Sequence, residues 1–578
     1  MSEITTPSEK SILNRNWKLR PQYPDLNIVQ NILRNRGIEN QDEINSYLNP
    51  SYKKGFHNPF LLKDMEKAVE RLRQATANQE RVIIFGDYDV DGISGTAILY
   101  QALQIYGANI SYRLPHRVND GYGLNIKFID EFIEKGVKVL ITVDCGISCY
   151  DQIAKAAEAG IDVIITDHHT IPAKIPDHAH AILHPKQSDC AYPFKGLTGA
   201  GVAYKLASAL LTDKLSGEER EKHLFSLLDL ASLGTVADLG PLVDENRIIV
   251  KYGLETMQKS NWPGLSLLME SAGIDLSQKL GVSDIGFKIG PRINAAGRID
   301  HPYYALQMLL HDGDIHEGRQ KAAYLEKLNQ ERQQMVIKAL EEAELKYAEK
   351  PADQKIFVAW SPDWHVGILG LICSKIVEKY NMPAIILQEF DDHLVASFRS
   401  TESLNAVDAL NHTKDLLSHY GGHAQAAGFS LKKENIHAFV EKVAAYAADE
   451  LEHHNFEHEM NIDAEINHQD INEEFMRLLA LMEPHGVGNE RPTFLVKGIK
   501  AEDIKTVGKE SNHLHFLART GQGKFSCIAF KLGKHRDLIM ENPLLDLVIH
   551  LDKNVWNGRE NIQFQVLDIR PVNLPSNS

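Results

Sequence analysis

Short apolar runs and longer amphipathic segments alternate along the chain from about residue 63. The runs are rich in Val and Ile, whereas the longer segments repeat their apolar residues with a helical period. The first pattern predicts buried strands and the second predicts helices. Because strands that alternate with crossover helices pair in parallel, we predict an α/β fold with a doubly wound parallel sheet. The predicted strands are 82–85, 109–114, 138–143 and 162–166, and the predicted helices are 63–77, 93–106, 125–135 and 150–159.

Beyond this first α/β region the pattern changes several times. Residues 256–300 are rich in glycine and predict loops, whereas residues 315–350 have neither Gly nor Pro after Gly318 and predict one long connecting helix. Strand and helix patterns then return, and from residue 461 short β-like runs separated by turns predict an OB-type barrel. We therefore expect an N-terminal extension at 1–60 packed on the next domain, an α/β domain at 61–255, a helical region at 256–350, a second α/β domain at 351–457 and a β-barrel at 458–578.

Composition narrows the class of protein. The 578 residues exceed what one hydrophobic core organises, and 43% hydrophobic with 24% charged residues is typical of globular proteins. The net charge of −16 argues against a protein that coats nucleic acid through its overall charge. It permits a nucleic-acid enzyme with a locally basic groove. Five cysteines without a CxxC pair predict reduced thiols, and no apolar run approaches the roughly 20 residues of a membrane span. We expect a cytoplasmic monomer with no membrane partner.

Three aspartates follow the first predicted strand at alternate positions: Asp87, Asp89 and Asp91, with Gly92 next. Carboxylates this close repel one another unless a cation neutralises them, and hard oxygen ligands suit Mg²⁺ or Mn²⁺. A calcium loop of the EF-hand type needs a glutamate at its twelfth position, where this chain has Ile98. Solvated turn acids without a metal are the other interpretation of this motif taken alone.

Further polar groups stand at the ends of later strands. Asp144 follows the third predicted strand, and Asp167, His168 and His169 follow the fourth. Because the carboxyl ends of parallel strands lie along one edge of a sheet, we expect these groups to converge with the three aspartates. Carboxylates and imidazoles that converge in this way predict a metal site. Asp238 ends an apolar helical segment, which by itself is a routine position for an acid.

The motifs occur in an order that resembles a known superfamily. DYDVDG, VDCG, DHH and GTVAD resemble the four motifs of the DHH phosphoesterases. GPRINAAGR, WHVGILG, SFRS, GGHAQAAG and EPHGVGNERPTF resemble the RecJ family within it, and the likeness runs from about residue 52 to residue 570. The resemblance implies a DHH catalytic domain at 61–255, a DHH-associated domain at 351–457 and an OB-fold domain at 458–578. It also implies a single-stranded-DNA-specific 5′→3′ exonuclease that releases 5′-mononucleotides in DNA repair and recombination.

The resemblance also implies two divalent metal ions, Mn²⁺ or Mg²⁺, and assigns their ligands. Asp144 matches the acid that bridges both ions, and His169 matches a residue beside the scissile phosphate. Phe85 stands where small pyrophosphatases of the superfamily carry a ligand histidine, so pyrophosphatase chemistry is a poorer match. The implied metal ligands are Asp87, Asp89, Asp91, Asp144, His168 and Asp238, and the implied catalytic residues are Asp144, His169 and Arg298.

A second group of matches concerns the DNA. Ser397 and Arg399 are two residues apart on a predicted strand, so both face one side, and with Arg117 they match a pocket for the 5′-phosphate. Tyr122 either stacks on a base near the entrance or packs against a glycine turn. The implied phosphate- and DNA-binding residues are Arg117, Tyr122, Ser397, Arg399, Gly421, Gly422 and His423.

The resemblance implies single-stranded DNA as the partner, together with a single-strand-binding protein and a RecQ-type helicase. One alternative function is a phosphodiesterase that acts on short oligonucleotides or cyclic dinucleotides. Another is a scaffold that has lost catalysis and only binds DNA or replication partners, although the intact motifs argue against it. The predicted barrel favours a polymeric substrate, since Phe516, Phe530 and Trp556 are candidates for stacking on single strands. Core packing is the alternative for the two phenylalanines.

Overall fold

The computed structural model describes residues 11–572 except 122, 349–353, 453–458, 522 and 557–558. The chain divides into two compact units. The larger unit contains Ser51–His454 and Gly486–Asn489, and the smaller unit contains Met1–Pro50, Asn455–His485 and Glu490–Ser578. In the described part of the chain, no helix has both the length and the apolarity that crossing a membrane requires.

The strands of the first sheet of the larger unit are all parallel, as the sequence predicts. The sheet has five strands, of which the sequence predicts four and misses Ala181–Leu183. Along the sheet the strands lie in the chain order 2-1-3-4-5, so the winding reverses beside the first strand. Helices cover both faces, which explains why the central strands are almost wholly apolar. The strands are Arg81–Gly86, Asn109–Arg113, Val139–Val143, Asp162–Thr166 and Ala181–Leu183, and the main covering helices are Val90–Tyr106, Ile126–Glu134, Tyr150–Glu158 and Gly199–Leu210.

The glycine-rich stretch 256–300 is mostly helical, which agrees with the helical region expected at 256–350, but the loops predicted within it are wrong. It contains the helix Pro263–Ser271, a π-helical turn at Ile285–Ile289 and the helix Gly290–Ile299. A Cβ atom at Gly297 would lie 2.6 Å from the carbonyl oxygen of Tyr88, so this glycine permits close packing rather than a turn. The long connecting helix is present as Ile315–Ala348.

The second sheet of the larger unit also has five strands, of which only Phe357–Ser361 and Ala384–Glu389 pair in parallel. The helix Val366–Tyr380 packs on one face together with the long connecting helix. The strands lie in the order Leu417–His423, Ala426–Lys432, His393–Arg399, Ala384–Glu389 and Phe357–Ser361, and the other helices here are Ala406–His412 and Ile436–Glu450.

The smaller unit is built around a closed five-stranded barrel, as predicted, because its first strand pairs with both its second and its fourth. Phe516 is fully buried in the core, whereas Phe530 is 51% exposed. The side chain of Trp556 lies outside the described residues. The barrel strands are Phe494–Val507, His513–Thr520, Gly523–Ala529, Leu544–Trp556 and Arg559–Pro571.

The N-terminal region up to Pro50 belongs to this smaller unit, so the expectation that it packs on the domain that follows it is wrong for this part, whereas residues 51–60 belong to the larger unit. The strand Asn16–Leu19 pairs in parallel with Glu459–Ile462, and the helix Ile28–Arg34 contributes to the core of the barrel. The remaining helices of the two units are Gln41–Leu48, Tyr52–Gly55, Met65–Ala77, Gly217–Ser226, Leu228–Ala237, Asp244–Met257, Val282–Asp284, Tyr303–Leu309, Glu473–Leu481 and Arg536–Glu541.

A buried ion pair joins two helices of the larger unit. The ammonium of Lys205 lies 2.8 Å from the carboxylate of Glu245, and both side chains are almost fully buried. The same ammonium donates to the carbonyl of His57 at 2.7 Å, and Tyr192 donates its hydroxyl to Glu245. Removal of one charge leaves the other buried without its partner, which costs about 3–5 kcal/mol in comparable pairs.

We therefore expect Lys205→Met to lower the free energy of unfolding of this unit by about 3–5 kcal/mol, measured by urea denaturation. The control is Glu270→Ala, which breaks an exposed 3.0 Å pair with Arg319 and should cost less than about 1 kcal/mol. Equal small losses in both variants would show that the buried pair adds no stability.

Candidate metal centre and phosphate cleft

The first acidic motif is held at the start of a helix. Asp89 caps the helix Val90–Tyr106, since its Oδ1 accepts from the backbone N–H of Asp91 at 3.0 Å and of Gly92 at 3.1 Å. The helix begins earlier than the predicted residue 93, and Asp91 therefore lies in its first turn rather than in a loop. Its carboxylate accepts from Gly199 N at 2.6 Å, at the start of the next helix.

Three glycines let these acids approach one another, and the sequence analysis gave none of them a role. A Cβ atom at Gly199 would lie 2.6 Å from the Cβ of Asp144, and one at Gly234 would lie 2.3 Å from Oδ1 of Asp91. A Cβ atom at Gly92 would lie 2.7 Å from the backbone of Asp87. The available signal was a glycine inside each short motif, DVDG, TGAG and LGTVAD.

The predicted convergence of the motifs is present. Asp144 follows its strand in the left-handed region, with φ of 61°, which Asp tolerates better than most residues. Nε2 of His168 lies 3.0 Å from Oδ1 of Asp144, 3.5 Å from Asp238 and 3.7 Å from Asp91. Nδ1 of His169 lies 3.8 Å from the same oxygen of Asp144. Four separate segments therefore meet at one edge of the sheet, the metal centre.

The ligand atoms of this centre fall into overlapping groups on either side of Asp144. Within each group the atoms all lie within 4.8 Å of one another, and Asp144 shares one group with two acids and another with the two histidines. This spacing suits more than one divalent cation, and neighbouring ions share a carboxylate in such sites. The groups are Asp87 with Asp89 and Asp144, Asp91 with His168 and Asp238, and Asp144 with His168 and His169.

The burial of these atoms fits a metal site. Oδ1 of Asp87 and Nε2 of His168 are buried and make no hydrogen bond within the described residues, an arrangement that is costly without a ligand. Burial, followed by repulsion from Asp89, raises the pKa of Asp87 to about 8 and that of Asp91 to about 6. Burial, followed by repulsion from Asp91, raises the pKa of Asp238 to about 8. Bound cations would favour the ionised carboxylates.

Asp167 organises the histidine pair, and the sequence analysis gave it no individual role. Its Oδ1 accepts from the backbone N–H of His168 at 2.7 Å and of His169 at 3.1 Å, and it bonds Nδ1 of His169 at 2.8 Å. Its Oδ2 accepts from the N–H of Ile147 at 3.0 Å. Asp167 thus fixes the backbone and one ring of the pair.

The two histidines consequently differ in charge. Burial, followed by repulsion from His169, lowers the pKa of His168 to about 3, so its ring is neutral and suited to metal ligation. Burial opposes protonation of His169, but its hydrogen bond to Asp167 and the charge of that carboxylate outweigh burial and raise its pKa to about 9. Without bound cations, His169 is therefore cationic at neutral pH, and its protonated ring carries a second N–H donor at Nε2.

A cleft of about 900 Å³ lies between the first and second sheets of the larger unit. One side carries Arg117, whose guanidinium stacks 3.8 Å from the ring centre of Tyr88, and Arg298. The other side carries Ser397 and Arg399, joined by a 3.3 Å hydrogen bond from the guanidinium to the hydroxyl. The structure therefore brings together the three residues that were matched to the 5′-phosphate pocket and Arg298, which was matched to catalysis, in what we call the phosphate cleft.

The charge of the phosphate cleft favours anions. Arg298 donates to the carbonyl of Gly367 at 2.9 Å. Burial, followed by repulsion from Arg117 and Arg332, lowers its pKa, yet a guanidinium stays cationic at neutral pH. An anion that accepts hydrogen bonds from two neighbouring guanidinium groups relieves the repulsion between them. Phosphate oxygens suit the forked N–H donors of arginine.

The remaining residues that were matched to DNA binding lie outside the phosphate cleft or outside the described residues. Gly421, Gly422 and His423 are exposed on the edge strand of the second sheet, next to the residues that line the phosphate cleft. Gly422 has a positive φ of 148°, and a Cβ atom there would lie 2.4 Å from the carbonyl oxygen of Ala426. Tyr122 lies outside the described residues.

Three family models match successive parts of the chain. The DHH family, N-terminal domain, matches residues 81–235, the DHHA1 domain matches residues 353–449, and the RecJ OB domain matches residues 462–568. Each range falls inside the corresponding domain expected from the sequence.

Similar proteins and structures extend over nearly the whole chain. The chain is 35% identical over 568 residues to the single-stranded-DNA-specific exonuclease RecJ of Bacillus subtilis (strain 168), covering 98% of this chain and 70% of that protein. It is 33% identical over 565 residues to the single-stranded-DNA-specific exonuclease RecJ of Haemophilus influenzae, covering 94% of this chain and 96% of that protein.

Two solved structures of RecJ from Thermus thermophilus are also similar. The structure in complex with Mn²⁺ has a TM-score of 0.80 at 30% identity, covering 97% of this chain and 80% of that one. The structure in complex with Mg²⁺ has a TM-score of 0.75 at 28% identity, covering 97% and 79%.

Proposed function

Because the chain belongs to the RecJ family of single-stranded-DNA-specific exonucleases, we propose that it degrades single-stranded DNA from the 5′ end and releases 5′-mononucleotides. The observation that carries this proposal is the arrangement of two sites. The metal centre sits beside a cleft whose cationic and hydroxyl side chains suit a terminal phosphate. A strand held by its 5′-phosphate would present the next phosphodiester to the metal centre, which explains both the polarity and the mononucleotide product.

The cofactors are two divalent cations, Mn²⁺ or Mg²⁺, and the metal centre suits them. One group of side chains, Asp87 with Asp89, would hold the first ion, and the group of Asp91, His168 and Asp238 would hold the second. Asp144 would be the shared ligand, in agreement with its place between the two groups. When bound, such ions neutralise charge at phosphorus and acidify water.

Other residues of the chain act on the substrate directly. Arg298 would hold non-bridging oxygens of the scissile phosphate through its forked donors. Water supplies the oxygen that bonds to phosphorus while the bond between phosphorus and the 3′-oxygen breaks. The cationic ring of His169, held by Asp167 at 2.8 Å, would donate the proton that the departing 3′-oxygen needs.

We expect Arg399→Ala to weaken the preference for 5′-phosphorylated ends by about 10- to 100-fold, because a charge-assisted hydrogen bond contributes roughly 1.5–3 kcal/mol. The measurement compares digestion rates of the same strand with a 5′-phosphate and with a 5′-hydroxyl. Arg319→Ala, which removes an exposed arginine paired with Glu270, is the control and should leave the preference intact. If Arg399→Ala slowed both strands equally, its role in end recognition would be refuted.

The decisive test of the proposed function is digestion of single-stranded DNA labelled at either end, with Mn²⁺ or Mg²⁺ and with a chelator. We expect a 5′-labelled mononucleotide at the earliest times, while the 3′-label stays on shortening strands. Cleavage of only short oligonucleotides or cyclic dinucleotides would instead support the phosphodiesterase alternative. Binding without cleavage would support a scaffold.

The wider role follows from this chemistry. We propose that the substrate strands arise in DNA repair and recombination, and that a single-strand-binding protein and a RecQ-type helicase are partners. The five cysteines are free and buried, as expected in a reducing compartment. This supports a cytoplasmic location.

A further inference from the structure

One continuous helix leads from the phosphate cleft past the metal centre. The short helix Val282–Asp284, the π-helical turn Ile285–Ile289 and the helix Gly290–Ile299 follow one another without a break, and we call them together the site helix. Arg298 lies near its C-terminal end and lines the phosphate cleft. A π-helical turn inside an α-helix is frequent at functional sites.

The site helix presents one face to the segments that carry the metal ligands. A Cβ atom at Gly286 would lie 3.9 Å from Val236, two residues before Asp238. A Cβ atom at Gly297 would lie 2.6 Å from the carbonyl oxygen of Tyr88, which belongs to the first acidic motif. The two glycines are eleven residues apart, about three helical turns, so both contacts lie on the same face. The site helix therefore runs alongside the metal centre, with its C-terminal end at the phosphate cleft.

A second stripe of side chains lies next to this face. Phe287 and Arg298 each follow one of the two glycines directly, so both project about 100° around the axis from the glycine face. Asn294 falls on the same stripe, because it is seven residues after Phe287 and four before Arg298. Its amide oxygen is buried and makes no hydrogen bond within the described residues. The stripe therefore presents, in order, an aromatic ring, an amide and a guanidinium.

Phe287 is exposed although it is large and apolar. It is 82% exposed, more than any other large hydrophobic residue in the described part of the chain. Leu239, which directly follows Asp238, is 68% exposed. The two residues lie at the same end of the site helix, because Gly286 packs beside Val236. Apolar side chains that are exposed together beside a polar site mark a binding surface.

The direction of the DNA strand follows from the proposed function. The 5′-phosphate lies in the phosphate cleft, and Arg298 holds the scissile phosphate at the metal centre. The rest of the strand then leaves the metal centre on the side away from the phosphate cleft, where Phe287 lies. The eleven residues from Phe287 to Arg298 span about 16 Å, and stacked nucleotides are about 3.4 Å apart along a strand. The base beside Phe287 therefore belongs to one of nucleotides 2–6, counted from the 5′ end.

We propose that the ring of Phe287 stacks on one base of the strand on the 3′ side of the scissile phosphate and holds the strand in register for cleavage. The inference rests on the proposed function and adds a substrate-binding residue to it. Stacking does not depend on the identity of the base, because every base has a flat π face. This contact therefore suits an enzyme that removes nucleotides of any sequence in succession.

The test is a scan with abasic residues, which keep the backbone but lack the base. Five 5′-phosphorylated strands each carry one abasic residue, at nucleotide 2, 3, 4, 5 or 6, and a sixth strand is intact. The measurement is kcat/KM for release of the first nucleotide by the full chain with Mn²⁺. One abasic position should lower kcat/KM about tenfold, as expected for the loss of one stacked base. Phe287→Ala should lower kcat/KM for the intact strand by a similar factor, and the abasic residue at that position should then cause no further loss.

Two further variants complete the test. Phe287→Tyr keeps an aromatic ring and should retain both the rate and the position dependence of the unaltered enzyme. Leu345→Ala, which removes an apolar side chain that is 72% exposed on the long connecting helix, is the control and should change neither. The inference would be overturned if no abasic position lowered kcat/KM, or if Phe287→Ala kept the same pattern of losses as the unaltered enzyme, and the exonuclease proposal would then stand. Failure of the unaltered enzyme to release nucleotides from any strand would instead refute the proposed function.

Discussion

Asp144→Ala should lower the rate of single-stranded DNA hydrolysis by on the order of 10³-fold, comparable to the loss of a major electrostatic stabiliser. The reason is its position. Oδ1 of Asp144 lies 3.0 Å from Nε2 of His168, and the same residue groups with Asp87 and Asp89 on its other side. Removal of one carboxylate therefore takes a ligand from both proposed ions, whereas each of the other acids belongs to one group.

The measurement is single-turnover digestion together with titration of Mn²⁺ binding. Because Asp144 has a positive φ, alanine adds backbone strain, so Asp144→Asn serves as a second variant that tolerates this conformation. Asp229→Asn is the control, since Asp229 is equally buried but bonds Ser260 and Trp262 outside the metal centre. Near-normal activity of Asp144→Asn with Mn²⁺ would show that Asp144 is not the ligand shared by the two ions.

Asp167→Ala should lower the turnover number by about 10- to 100-fold, as is typical when a partner that orients metal ligands is lost. The variant removes the acceptor for the backbone N–H groups of His168 and His169 and for one ring nitrogen. We expect KM to change little, because Asp167 lies under the metal centre rather than in the phosphate cleft. Asp167→Asn keeps an acceptor oxygen and should restore part of the activity.

Asp162→Ala is the matched control for this prediction. Asp162 starts the strand that Asp167 follows, and it pairs with Arg71 at 2.6 Å at the opposite edge of the sheet. Its loss should reduce stability but not turnover. If the two variants lost the same activity, or if Asp167→Ala raised KM with an unchanged turnover number, Asp167 would not be a positioning residue.

Much of the centre was predictable because strand ends can be located locally. Buried strands such as 139–143 are short apolar runs, and the residue that follows each run is known once the run is found. A parallel sheet then places Asp144 and His168 at one edge whatever the details of packing. The same local logic predicted the five barrel strands, since turn residues separate them.

Errors arose where a residue type has several structural uses. Glycine in 256–300 predicted loops, but Gly297 instead allows a helix to approach Tyr88. Asp89 and Asp91 were assigned to a turn, although Asp89 caps a helix that includes Asp91. The local conformational preference of a glycine or an aspartate cannot distinguish a loop from a helix cap or a close packing contact. The neighbouring residue that decides between them is distant in sequence.

By itself, the sequence determined the order of strands and helices, the parallel sheet and the edge at which the acids and histidines collect. These follow from hydrophobic periodicity and from the chirality of the chain, which act over short distances. Only the tertiary structure decided the hydrogen-bond partners of Asp167 and the close approach of the acids that the glycines of the metal centre allow. It also decided the pairing of Asn16–Leu19 with Glu459–Ile462. Those features depend on packing and strand register between segments far apart in the chain, and no local pattern encodes them.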